Sequence, residues 1–311
     1  MRRKLLANGL VSALVVMVVL GAATPARAGQ LFAFNYSLPP GAGPTPMAVS
    51  ASGLFATTDL VGSSYTIIGA WGTWNGTAIT GVFAPGTFGG NDNLLFSSNP
   101  FLDSNGVSFA VNGPGDNGSG NVNVYYDASQ GGYTENSTNV GVGPNFSIAT
   151  PSPVYFDFSY SIPGTGLTPM DVSASGILTA FGIDANSYLV RDISGSWNGV
   201  NILSLLSPGT FGGNDNLLFG ADPHLTANGL GYAVNGVGDD GSGNVNVYYD
   251  AGQGSYTEDS TNVGEGPNFN ISQTDTETPE PASVTLLCAG IPFVLFLVRR
   301  RSRAQRLPEQ K

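Results

Sequence analysis

Apolar and polar side chains alternate along much of this chain. Phe32, Phe34, Tyr36 and Leu38 mark every second position. So do Tyr65, Ile67, Gly69 and Trp71, and so do Val122, Val124 and Tyr126. A period of two puts such residues on one face of an extended strand. Aromatic and β-branched residues dominate these runs, and clusters of Gly, Asn, Asp and Pro separate them: PPGAGP, WNG, GGNDN, SNG and GDNGSGN. Those clusters carry the residue types that tight turns require. No stretch between the two ends holds a helical period with caps. The pattern predicts an all-β protein with seven or eight short strands per 120 or so residues, spaced as in an antiparallel β-sandwich or barrel-like domain.

The pattern occurs twice. PGTFGGNDNLLF stands at Pro85–Phe96 and again at Pro208–Phe219, an offset of 123. GSGNVNVYYDA at Gly118–Ala128 returns at Gly241–Ala251 with the same offset. Met47–Phe146 and Met170–Phe269 agree at 60 of 100 positions without a gap. Before that, FNYSLPP at Phe34 aligns with FSYSIPG at Phe158 after a slip of one residue. A tandem duplication is read here, with one β domain over residues 30–149 and a second over 153–272. Each is long enough for its own core. A polar linker over 273–278 follows.

The two ends differ from this body. Arg2, Arg3 and Lys4 precede an apolar run, and Ala26-Arg27-Ala28 supplies small residues at Ala26 and Ala28, as signal peptidase cleavage requires. Residues 1–28 are therefore read as an export signal, with an uncleaved anchor as the alternative. At the other end, Ala282–Val298 runs seventeen residues without a charge. As a helix at about 1.5 Å per residue it would span roughly 25 Å, close to a bilayer core. A basic tail, 299–306, follows, and its arginines predict that it stays cytoplasmic while the body lies outside. The N-terminal signal helix and this C-terminal transmembrane helix are the only helices expected.

Charge sharpens the division. The chain carries a formal −11, but ten of its eleven basic residues lie in the two ends. Between Gly29 and Thr278 there are twenty acids and one base, Arg191, a net of −19. Such a body repels nucleic acid. With one Cys and one His, neither a Cys/His zinc site nor an intrachain disulfide can be built.

Pro279-Glu280-Pro281, the apolar run and the closing Arg cluster together resemble the PEP-CTERM sorting signal of bacteria. The resemblance covers Pro279 to Arg303, within a signal taken as 279–306. It implies transient membrane insertion, recognition by an exosortase, cleavage near Pro279, Glu280 and Pro281, and release to the cell surface or an exopolysaccharide matrix. A permanent single-pass anchor is the alternative. The repeats resemble extracellular β domains found upstream of such signals, with a G-x-DNLL[FY], GxxxA[VF] and VN[VL]YYD pattern. That resemblance implies fold and setting but no chemistry.

Residues required in each repeat should occur in both. His224 faces Phe101 and Arg191 faces Ile68, so a His-dependent nucleophilic site cannot be present twice. No catalytic residue and no bound organic cofactor is expected. The shared carboxylates are Asp92/Asp215, Asp116/Asp239, Asp127/Asp250 and Glu135/Glu258. Three of these pairs lie in or beside turn-like clusters, where Asp bonds its own backbone. A glycoside-acting enzyme would need facing carboxylates across a groove. Calcium is the metal these oxygens would suit, with Asp92, Asp116, Asp215, Asp239 and Asp240 as ligands, although the spacing is not that of an EF-hand. Tyr125 and Tyr126, with Tyr248 and Tyr249, offer rings that stack on sugars, one of each pair facing outward. The expectation is a structural or interaction protein, with signal peptidase and exosortase as processing partners and matrix exopolysaccharide as a partner afterwards. A carbohydrate- or calcium-binding module is the alternative.

Overall fold

In the computed structural model the residues described are 29–40, 48–115, 118–135, 142–143, 145–164, 171–238, 241–258, 266 and 268–274. Ala26, Ala28, Asp116, Asp239, Asp240, the tripeptide Pro279–Pro281, the apolar run 282–298 and the basic tail lie outside them. Among the described residues no helix is long and apolar enough to cross a membrane.

The chain divides into two compact units at Ile148/Ala149. The first holds β1 (Leu31–Leu38), β2 (Val49–Thr57), β3 (Ser64–Trp74), β4 (Thr77–Val82), β5 (Leu94–Phe96), β6 (Val107–Val111), β7 (Asn121–Asp127), β8 (Gly132–Glu135) and β9 (Phe146–Ala149). The second repeats them as β10 (Pro153–Ile162), β11 (Val172–Gly182), β12 (Ser187–Trp197), β13 (Val200–Leu205), β14 (Leu217–Phe219), β15 (Leu230–Val234), β16 (Asn244–Asp250), β17 (Ser255–Glu258) and β18 (Asn268–Thr274). Each unit therefore has nine strands, more than the seven or eight expected. β5 and β14 are three-residue LLF segments, too short to show a period.

Each unit is an antiparallel, barrel-like sheet. Its order is β8-β7-β6-β4-β3-β2-β1-β9, with β5 on β3, and the second unit matches it strand for strand. The first and last strands of the path also meet. Gly143, just before β9, bridges Tyr133 of β8, and Gly266 bridges Tyr256 of β17 in the same way. One bridge in each unit thus draws the two ends of the path together, as in a barrel.

Local chemistry places the bends. Asn75-Gly76 and Asn198-Gly199 join β3 to β4 and β12 to β13 with positive φ at both residues, the requirement of a two-residue hairpin turn. Asn198 also accepts the Ser173 N–H through Oδ1 at 2.7 Å, tying the turn to β11. Along β11 and β12, Gly176 pairs with Gly195. A Cβ on Gly195 would lie 2.1 Å from the Ser175 carbonyl oxygen, so the two backbones approach as no side chain would permit. Inward positions fill the interior. Phe34 stacks on Phe55 with centroids 4.0 Å apart, and Trp74 meets Phe109 edge-on at 5.7 Å. Phe158, Tyr160, Trp197, Tyr232 and Phe269 form the corresponding core of the second unit.

Candidate functional site

Three arrangements hold the candidate chemistry, and two of them are structural. The first is the shared NDN loop ahead of β5 and β14. Asn91 and Asn93 are buried, as are Asn214 and Asn216. Asn91 Oδ1 accepts the Thr87 and Phe88 N–H groups at 3.1 and 3.2 Å, while its Nδ2 donates to Asn93 Oδ1 at 2.7 Å. Asn93 has φ 59° and donates to the Phe83 carbonyl at 2.7 Å. Asn216 does the same to Leu206, also at 2.7 Å. These amides satisfy backbone groups that the loop would otherwise bury unpaired.

Asp92 and Asp215, two of the calcium candidates, belong to that loop. Asp92 Oδ1 accepts the Leu94 N–H at 3.1 Å and Oδ2 accepts Asn105 Nδ2 at 3.0 Å. Asp215 Oδ1 accepts from Leu217 at 3.1 Å, and its Oδ2 accepts from Thr226 Oγ1 at 2.7 Å and Asn228 Nδ2 at 3.2 Å. Burial raises the Asp92 pKa above the ordinary carboxylate value, the Asn105 and Leu94 donors counter it, and neighbouring Asp103 pushes it up further. Among the described residues no group of three or more His, Cys, Asp or Glu side chains is placed to hold a metal ion. Asp127 and Asp250 cap the turns after β7 and β16, accepting the Ser129 and Gly252 N–H groups at 2.9 and 2.8 Å, as the turn reading expects.

The second arrangement is the fourth shared carboxylate, which the composition of its strand does not flag. Glu135 and Glu258 close β8 and β17 inside the barrels, 3% and 2% exposed. Trp197 Nε1 donates to Glu258 Oε1 at 3.0 Å. The Tyr160 hydroxyl donates to the same oxygen and also bonds the Tyr232 hydroxyl. Burial holds the Tyr160 pKa far above its ordinary value, and Tyr232 and Glu258 reinforce the shift. A carboxyl group this far from water needs such donors. In the first unit Tyr36, Trp74 and Glu135 keep the corresponding places, while Phe109 replaces Tyr232.

The third arrangement is open to solvent. In YYD the two rings point to opposite sides of the strand. Tyr126 and Tyr249 lean on the core, meeting Tyr133 and Tyr256 edge-on at 5.3 and 5.2 Å. Tyr125 and Tyr248 take the other face, and both rings of each pair are half-buried. The inward-leaning ring of the second unit is the one that borders a cavity. A cleft of about 570 Å³ lies between Tyr249, Phe219, Pro223 and Leu225. Its wall is the loop after β14, which contains the cis Asp222–Pro223 bond. Tyr256 pins that loop: its hydroxyl donates to Asp222 Oδ1 at 2.5 Å and accepts the His224 N–H at 2.7 Å. Burial and the Asp222 hydrogen bond raise the Tyr256 pKa. His224 is half-buried, with Nδ1 2.9 Å from the Phe219 carbonyl oxygen.

No protein-family model, no curated protein and no solved structure matches this chain.

Proposed function

We propose that the chain is an exported bacterial surface or matrix protein, sorted by a PEP-CTERM/exosortase route, whose body has a structural or interaction role without catalytic turnover. One observation carries the reading: the order along the sequence of a basic-apolar-small N-terminal signal, a β body with one base, and a Pro279-Glu280-Pro281, apolar-run, arginine-cluster ending. Positive charge confined to the two ends is what membrane-directed addresses require, and it leaves a cargo that nucleic acid and anionic lipid repel. The fold suits that cargo: among the described residues a bridge brings the two end strands of each barrel-like sheet together, which limits the edge open to other copies.

The test is the intact mass of the protein recovered from the native cell surface or medium. Loss of residues 1–28 together with the segment after Pro279–Pro281 is the expected result. A species that still carries Ala282–Lys311 overturns the sorting proposal and leaves a permanent anchor.

A further inference from the structure

We infer that the cleft of the second unit is a binding site for a neutral, apolar, ring-bearing small molecule, and that the first unit does not share this specificity. The inference goes beyond the export reading and does not depend on it. A volume of about 570 Å³ falls within the range of small-molecule sites, which are mostly apolar with a few placed polar groups. Phe219 and Tyr249 supply two aromatic surfaces, with Pro223 and Leu225 beside them.

The duplication shows which lining residues the fold does not require. Phe96, Pro100, Leu102 and Tyr126 of the first unit correspond to Phe219, Pro223, Leu225 and Tyr249, so the frame is common. The lining differs at four positions: polarity falls at three of them, and the fourth, Ser63 to Asn186, stays polar. Ser98 becomes Ala221, Ser104 becomes Ala227 and Asp103 becomes Thr226. The last exchange is the most informative. Asp103 Oδ1 accepts the Asn105 and Gly106 N–H groups at 2.9 and 3.1 Å. Thr226 Oγ1 accepts the matching Asn228 and Gly229 groups at 3.0 and 3.1 Å. The turn is preserved while the charge is removed. Thr226 also donates its proton to Asp215 at 2.7 Å, so it offers the cleft no free donor.

Losing a carboxylate and two hydroxyls weakens a site for sugars, which need several hydrogen bonds, and improves one for an apolar ring. The excess of acids in the body disfavours anionic amphiphiles such as fatty acids. Asn186, in place of Ser63, keeps one polar amide in the lining and would address a single polar substituent.

The test uses the full chain and two probes, N-phenyl-1-naphthylamine by fluorescence and maltohexaose by calorimetry. The triple variant Ala221→Ser, Thr226→Asp, Ala227→Ser carries only residues that the first unit already tolerates, so it should melt close to the wild-type temperature. Expected is saturable naphthylamine binding that weakens at least tenfold in this variant and in Tyr249→Ala. Naphthylamine signal that is absent, or unchanged by both variants, overturns the inference. Maltohexaose binding that requires Tyr249, with no response to naphthylamine, overturns it in favour of a sugar site.

Discussion

Replacing Glu258 tests whether its carboxylate organises the second barrel or merely occupies it. In Glu258→Ala the Tyr160 hydroxyl and the Trp197 indole lose a shared acceptor at the centre of the core. Each stranded donor costs about 1–3 kcal/mol, and the space left by the side chain adds to that. A total of about 3–5 kcal/mol follows. Glu258→Gln keeps an acceptor oxygen of the same reach and weakens only the charge-assisted part, roughly 1–2 kcal/mol. The chain has three tryptophans, Trp71 and Trp74 in the first unit and Trp197 in the second. Fluorine-labelled tryptophan therefore gives the second unit its own NMR reporter, at the site in question. With a urea dependence of about 1–2 kcal/mol per molar, the Ala variant should lower the Trp197 midpoint by roughly 1.5–5 M and leave the Trp74 midpoint in place. A Gln variant as damaging as Ala, or an Ala variant that shifts the midpoint by less than about 0.5 M, refutes the acceptor role.

Gly195→Ala should prevent folding of the second unit, because φ is 140° and the added carbon would sit 2.1 Å from the Ser175 oxygen. Gly199→Ala, at φ 77° with open space around it, should cost only about 1–2 kcal/mol; equal losses in a thermal melt would remove close approach as the explanation. Tyr160 and Tyr256 both have raised pKa values in the fold. Folding favours their neutral forms, so that stability is complete below the unfolded value of about 10 and declines as pH rises above it. Urea midpoints measured between neutral pH and pH 11 should fall only at the alkaline end, with tyrosinate absorbance of these two residues appearing together with unfolding and not before it. Asp103→Thr removes the neighbour that raises Asp92 and installs the residue the second unit uses. It should raise the thermal stability of the first unit slightly, by about 0.5 kcal/mol, and a fall in the melting temperature would count against the repulsion.

Much of this architecture is legible in the sequence because it is local. Alternation locates β1, β3 and β7, and Asn75-Gly76 announces its hairpin since few other residue pairs accept positive φ twice. Ring closure is not local. It depends on β9 reaching back to β1, and no short pattern encodes a partner a hundred residues away. Asp92 shows a different limit. A carboxylate among asparagines has the same composition whether it binds a cation or caps a loop, and only the directions of the Leu94 and Asn105 N–H groups identify the cap. Comparing the repeats exposes Glu135 and Glu258 as shared, yet their short strands leave too few residues for a period to assign a face. Alternation also establishes that Tyr248 and Tyr249 diverge, but it cannot tell which of them borders the cleft.

The pairing of first strand with last has a consequence for how such a chain is assembled. In the second unit Tyr155, near the start of β10, lies opposite Thr274 at the end of β18, so the chain enters and leaves its barrel at one spot. A unit built this way can be copied head to tail with a minimal joint, and only Thr150, Pro151 and Ser152 separate β9 from β10. The same plan creates a sorting problem, because β1 could accept either its own β9 or the related β18. Emergence from the N-terminus resolves it: β9 exists before β18 has been made, and the first barrel can close while its rival is still absent. Refolding from denaturant presents both candidates at once, and a chain that matures cleanly when delivered end-first would then have to choose between them.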